Sequence, residues 1–140
     1  MIVKQVSVFV ENTVGRLADL TKILTDNNID LKASTIAETV DFGILRCIVE
    51  EPEKTVKILV ENGFSASISE VTGVSLEDKP GGLHKVLAVL AEAGIAVNYI
   101  YSTIKSAEGK AIIMMKTSDA AKAEEVLQAS GVELAGADSF

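Results

Sequence analysis

Two stretches of this chain set a glycine between an alternating apolar run and an amphipathic one. They are Glu11-Asn12-Thr13-Val14-Gly15-Arg16-Leu17 and Glu77-Asp78-Lys79-Pro80-Gly81-Gly82-Leu83. Glycine lets a ligand approach the backbone closely where a strand gives way to a helix. The first N–H groups of that helix lack partners and carry partial positive charge. Together these features seat a carboxylate. Asn12 and Asp78 stand three residues before each glycine and could accept hydrogen bonds from an ammonium group. Carboxylate and ammonium together make the zwitterion of an amino acid, so the chemistry read here is binding. The same residues also suit a bare tight turn, with Asn12 and Asp78 as turn formers or caps.

The two stretches belong to a longer repetition. Shifted by 66 residues, Val8 falls on Val74, Gly15 on Gly81, Leu17 on Leu83, Leu24 on Leu90 and Ile29 on Ile95. After a two-residue insertion the offset becomes 68, and Lys54 meets Lys122, Leu59 meets Leu127 and Gly63 meets Gly131. Ordered matches along the whole chain imply two copies of one small-domain unit, residues 1–69 and 70–140.

Each copy must supply elements that hold its turn in place. In the first, Lys4 to Val10 alternates with period two and reads as a half-buried strand. Leu17, Leu20, Ile23 and Leu24 form a helical stripe that stops at Asn27-Asn28. Ile29 to Ala37 and Phe42 to Val49 read as strands around a turn at Glu38 to Asp41. Pro52 opens a second helix that ends at Asn62-Gly63, and Phe64 to Ser69 is a short fourth strand. The second copy gives strands over Val71 to Leu76, Val97 to Ile104, Lys110 to Lys116 and Val132 to Ala135. Its helices carry Leu83, Val86, Leu87 and Leu90, then Asp119 to Ala129. The fold class is therefore α+β, two ferredoxin-like βαββαβ units with antiparallel sheets, paired side by side to remove a strand edge. Gln5, Ser7, Gly73 and Ser75 are expected on a sheet face that the helices leave uncovered.

The turn segments resemble the Asp/Asn-x-Pro-Gly-x-Leu turn of the ACT domain. Asn28-Ile29-Asp30-Leu31 and Gly94-Ile95-Ala96-Val97-Asn98 resemble the Gly-Ile-Asn-Ile stretch that follows the first helix in that family. The likeness covers nearly the whole chain as two tandem ACT units with no catalytic domain. Val14 replaces the usual proline, and Asp30 and Ala96 stand where asparagine is common. ACT domains generally bind amino acids between two units, using the glycine turn of one and the second strand of the other. The resemblance thus implies Asn12, Gly15, Arg16, Leu17, Asp78, Gly81, Gly82 and Leu83 from the turns. It implies Ser34, Thr35, Ile36, Asn98, Tyr99, Ile100 and Tyr101 from the second strands. The loop Asp41-Phe42-Gly43 is similar to part of a tandem-ACT signature, and it also suits an ordinary hairpin turn.

The expected function is an amino-acid-binding sensor without catalysis or cofactor, acting as a homo-oligomer, a dimer. The alternative is a regulatory small subunit docked on an amino-acid biosynthetic enzyme such as acetohydroxyacid synthase. An enzyme of the acylphosphatase kind would need an arginine in its first loop, but Arg16 is matched by Gly82 in the second copy. Nucleic acid and anionic membranes are not expected partners, since the net charge is −7 and only 4% of residues are aromatic. No apolar stretch approaches a membrane span, and no signal-peptide pattern is present. Cys47 alone excludes an internal disulfide and a cysteine-cluster metal site, and a reducing cytoplasm is the simplest setting. It reads as a small core residue, and His84, the one histidine, as a solvated residue in a first helical turn.

Overall fold

The computed structural model describes residues 2–103 and 108–139 of the chain. The chain divides into two compact units, Lys4–Ser69 and Glu70–Phe140 with Met1–Val3. Met1 and the expected strand end at Ile104 lie outside the described residues. Among the described residues, no helix is long and apolar enough to cross a membrane.

The first unit holds β1 (Ile2–Glu11) from Lys4 onward, α1 (Arg16–Asp26), β2 (Ala33–Glu38), β3 (Phe42–Ile48), α2 (Pro52–Glu61) and the start of β4 (Ser65–Glu77). Its strand order is β2-β3-β1-β4, with β1 and β2 each antiparallel to β3. The second unit continues from β4 through α3 (Gly82–Glu92), β5 (Val97–Ser102), β6 (Lys110–Thr117), α4 (Ala120–Ala129) and β7 (Glu133–Ala135). Its order is β5-β6-β4-β7, again with antiparallel neighbours. Both are ferredoxin-like, as the βαββαβ pattern predicts.

Each core sits between sheet and helices. In the first unit Val6, Val8 and Val10 from β1 meet Leu20 and Leu24 of α1, Leu45 and Cys47 of β3, Leu59 of α2, and Phe64. In the second, Val74, Met115, Val86, Leu90, Ala123 and Leu127 occupy the matching layer. Burying one such Val, Leu or Met side chain contributes about 1.5–3 kcal/mol.

Three expectations change. The strand expected over Ile29 to Ala37 begins only at Ala33. Asn28 takes a left-handed conformation (φ 55°) and the Ile29 N–H donates back to the Leu24 carbonyl, so the chain is still closing α1. Ile29 and Leu31 instead pack on the core from that connection. The two strands expected over Phe64 to Ser69 and Val71 to Leu76 are one, β4, because no glycine or proline interrupts residues 65–72. The uncovered face also differs. Gln5 and Gly73 are buried, and a Cβ on Gly73 would stand 2.4 Å from the Ala135 carbonyl oxygen, where β7 closes on β4. In the first unit that face also exposes an apolar pair, Phe9 and Phe42, with ring centroids 5.4 Å apart.

Cys47 is buried as expected, and burial pushes its thiol from 9.0 up to about 12. The folded chain therefore keeps a proton that the unfolded chain releases as pH passes 9. Its contribution to stability is complete below that pH and is lost as pH rises towards about 12. We expect native Cys47 to resist thiol reagents at pH 8 and to react once denaturant opens the unit. We also expect the alkaline loss of stability to lessen in Cys47→Ala.

Candidate functional site

The two glycine turns are built by the same hydrogen bonds. The Thr13 N–H donates to Glu11 O (2.8 Å), Arg16 N–H to Thr13 O (3.3 Å) and Asp19 N–H to Gly15 O (2.9 Å). In the second unit Lys79 N–H donates to Glu77 O (2.9 Å), Gly82 N–H to Lys79 O (3.0 Å) and Lys85 N–H to Gly81 O (3.2 Å). Gly15 (φ 85°, ψ −11°) and Gly81 (φ 89°, ψ −12°) are the N-cap residues of α1 and α3, both left-handed. Glycine is the residue that holds this conformation at least cost. It also brings no capping oxygen, so neither helix has a side-chain cap. The amides of Leu17 and Ala18 in one copy, and Leu83 and His84 in the other, thus open each helix without one. The space beside both glycines is open, with nothing within 4 Å of an added Cβ.

Around the first turn Asn12 acts as a clamp. Its N–H donates to Asp41 O (3.0 Å) and its side-chain Nδ2 donates to Thr39 O (2.8 Å). The structure therefore brings Asp41 and Gly43 to Asn12. Gly43 is tightly enclosed, since a Cβ there would stand 2.9 Å from Ile36 Cγ2 and 3.6 Å from Asn12 Oδ1. Asp78 repeats the backbone half of the clamp, its N–H donating to Gly109 O (3.0 Å). A carboxylate cannot repeat the amide half.

The charged groups diverge between copies. The Arg16 Nε donates to Glu11 Oε2 (2.7 Å), and its guanidinium lies 3.9 Å over the Phe64 ring. That hydrogen bond holds the Glu11 carboxyl below its ordinary range. Glu77, the matching residue, is lowered in turn by its hydrogen bond to Lys79. The cation thus follows the glycine in one copy and precedes it in the other. Gly82 cannot bear a side chain, because a Cβ would stand 2.2 Å from the Glu77 carbonyl oxygen. Arg16 is read from sequence as a ligand contact, but its fastening to Glu11 and Phe64 needs the fold to be seen.

The second-strand residues divide between two faces. Ser34 and Ile36 pair with Cys47 and Leu45, and Ile100 pairs with Met115, so these three stand on the helix-covered side of their strands. Leu17 and Ile36 remain exposed there, and Leu83 packs against the core. Thr35 pairs with Arg46 and Tyr101 with Met114, which puts them on the opposite side. Tyr99 stacks with Tyr101 at 6.4 Å, and Tyr101 is buried. Asn98 is exposed at a register shift between Val97 and Tyr99. One strand cannot present both faces to one ligand. A cleft that sequence reasoning missed lies in the second unit, about 240 Å³ between Glu77, Gly82, Lys85, Lys110 and Glu133. Lys85, Lys110 and Glu133 come from three separate elements, α3, β6 and β7, so no local pattern in the sequence groups them. Among the described residues no cluster of three or more His, Cys, Asp or Glu could hold a metal ion.

This duplicated geometry agrees with a family model described as an ACT domain pair, which matches residues 1–137. The chain belongs to the ACT domain pair family. The crystal structure of protein BT0572 from Bacteroides thetaiotaomicron is 41% identical to this ACT pair, with a TM-score of 0.92 over 99% of this chain and 95% of that one. The ligand-free regulatory subunit of aspartate kinase from Thermus thermophilus is 16% identical, with a TM-score of 0.68 over 91% of this chain and 90% of that one. The regulatory subunit of aspartate kinase from Thermus flavus is 15% identical, with a TM-score of 0.63 over the same shares. The last two show a common fold. No curated protein matches the ACT pair.

The paired glycines of the second turn should separate by experiment. Gly81→Ala has space but a left-handed backbone, and we expect a cost of about 1–2 kcal/mol. Gly82→Ala must push the helix start off the Glu77 carbonyl, and we expect about 3 kcal/mol or more. Urea denaturation of both variants checks the order, and equal or reversed costs would contradict this account.

Proposed function

We propose that this ACT pair binds a free amino acid at its strand-to-helix turns and serves as a non-catalytic regulatory sensor. The observation that carries the reading is the turn made twice, with the same hydrogen bonds, a left-handed glycine and a helix without a side-chain cap. The ligand carboxylate would meet the Leu17 and Ala18 amides, or those of Leu83 and His84, favoured by the helix dipole. Its ammonium would meet Asn12 Oδ1 or the Asp78 carboxylate. Ser34 and Ile36, or Ile100, would supply the wall from a second strand. A sensor role is also in keeping with the aspartate kinase regulatory subunits that share the fold. We place the protein in the cytoplasm as a homodimer.

Calorimetry against the twenty amino acids tests this. We expect one or a few to bind, and a ligand at 100 times its dissociation constant to add about 2.7 kcal/mol of stability. Asp78→Ala or Asn12→Ala should weaken binding without unfolding the chain. Silence from all twenty, in both heat and thermal midpoint, would end the proposal.

A second reading, a regulatory subunit on a biosynthetic enzyme, is favoured by exposed apolar residues beside the first turn. Val14, within that turn, is fully exposed, and Val40, just after the end strand β2, is 94% exposed. Stoichiometric recovery of an enzyme from native extract would support it.

A further inference from the structure

The two units treat one place differently. It lies between the first turn of the helix after the glycine and the residue that precedes the unit's fourth strand. In the first unit the protein fills it with its own side chain. Arg16 lays its guanidinium 3.9 Å over the Phe64 ring, with Glu11 Oε2 2.7 Å from Nε and Asp19 Oδ2 4.0 Å from Nη1. A flat cation thus rests on an aromatic face between two carboxylates.

The repeat carries these positions into the second unit with a different chemistry. The offset of 66 takes Glu11, Arg16 and Asp19 to Glu77, Gly82 and Lys85, and the offset of 68 takes Phe64 to Val132. The backbone agrees with that match. Asp19 N–H donates to Gly15 O as Lys85 N–H donates to Gly81 O, and Phe64 N–H to Leu59 O (3.0 Å) is repeated by Val132 N–H to Leu127 O (3.0 Å). The arginine has become a glycine, the buried phenylalanine a half-buried valine, and one carboxylate a lysine. The cleft of about 240 Å³ lies at this place, lined by Glu77, Gly82, Lys85 and Val132 among others.

Its charges do not cancel. Lys79 pairs with Glu77, and Lys110 pairs with Glu133 at 2.9 Å. Among the described residues Lys85 makes no ion pair of its own and acts on Glu77 only through space. One ammonium therefore remains after both glutamates are paired. Leu76, Val86 and Val132 give the cleft an aliphatic wall.

We propose that the second unit binds a small organic anion, a carboxylate on a short aliphatic body, in this cleft, with Lys85 as its counter-ion. A lysine ammonium meets a carboxylate as a point charge. An apolar wall with a few convergent polar groups is the usual make-up of a small-molecule site. Pockets for drug-sized ligands measure about 300–1,000 Å³, so this cleft suits a smaller molecule. The change from a cation in the first unit to an anion in the second follows from the lysine that stands in place of Asp19. The site does not draw on the glycine-turn reading, because its contacts are side chains of α3 and of the connection from α4 to β7.

Sodium butyrate is the probe, with butylammonium chloride as the cation of like shape. Each is titrated into the full chain at constant ionic strength and followed by amide shifts in NMR. Butyrate should move the Lys85, Gly131 and Val132 amides to saturation, and butylammonium should not. Lys85→Gln should weaken butyrate about tenfold. Lys57→Gln removes the same charge from an exposed position of the first unit and should leave binding unchanged. Val132→Phe restores the first copy's ring and should abolish saturation by filling the cleft. No saturable shift in the parent chain overturns the site, and so does equal binding of the two probes. Butyrate shifts that survive both Lys85→Gln and Val132→Phe would put the anion at the turn amides and overturn the cleft alone. Amino-acid binding at the turns is decided separately by calorimetry, since butyrate has no ammonium.

Discussion

A strand cannot become a helix at the turns of this protein without a residue at positive φ, and that constraint organises each unit. Gly15 and Gly81 turn the chain so that α1 and α3 start beside the ends of β1 and β4. The same glycines leave the helix N-termini without a side-chain oxygen to cap them. A stability cost and a binding opportunity therefore have one origin. A serine or aspartate cap would make the helix start more stable and would occupy the place where an anion could sit. The hydrogen bonds from Thr13, Arg16 and Asp19, repeated by Lys79, Gly82 and Lys85, keep the backbone in that shape.

Duplication holds the backbone but releases the side chains. Asn12 fastens the Thr39 carbonyl with its amide, while Asp78 keeps only the main-chain bond. Arg16 rests on Phe64 where Gly82 presses on the Glu77 carbonyl. A glutamate before the turn is paired with a cation in both copies, but the cation comes from opposite sides of the glycine. Two sites of this kind need not prefer the same ligand, because their backbone donors match and their side-chain acceptors differ.

The interior diverges in the same way. Val6 and Val49 help close one core with hydrocarbon, and the buried Thr72 and Thr117 stand at the matching places of the repeat in the other copy. Valine and threonine have nearly the same shape, so the exchange preserves packing and changes only hydrogen-bonding demand. Such an exchange leaves little trace in hydrophobic patterning.

The sequence by itself determined the repeat, the βαββαβ order and the glycine turns, because these follow from local periodicity and from glycine's freedom at positive φ. The cores were legible for the same reason: Val6, Val8 and Val10 alternate, and Leu20 and Leu24 lie one helical turn apart. Tertiary structure alone decided where β2 begins, since Ile29 and Leu31 have strand-like side chains yet serve the core while α1 is still closing. It alone placed Ser34 and Ile36 on one side of a strand and Thr35 on the other, which depends on pairing register with β3. It alone drew Arg16 onto Glu11 and Phe64, and Asp41 and Gly43 onto Asn12. Periodicity is a property of neighbours along the chain. Contacts such as these join residues far apart in sequence, and only the folded backbone brings them within reach.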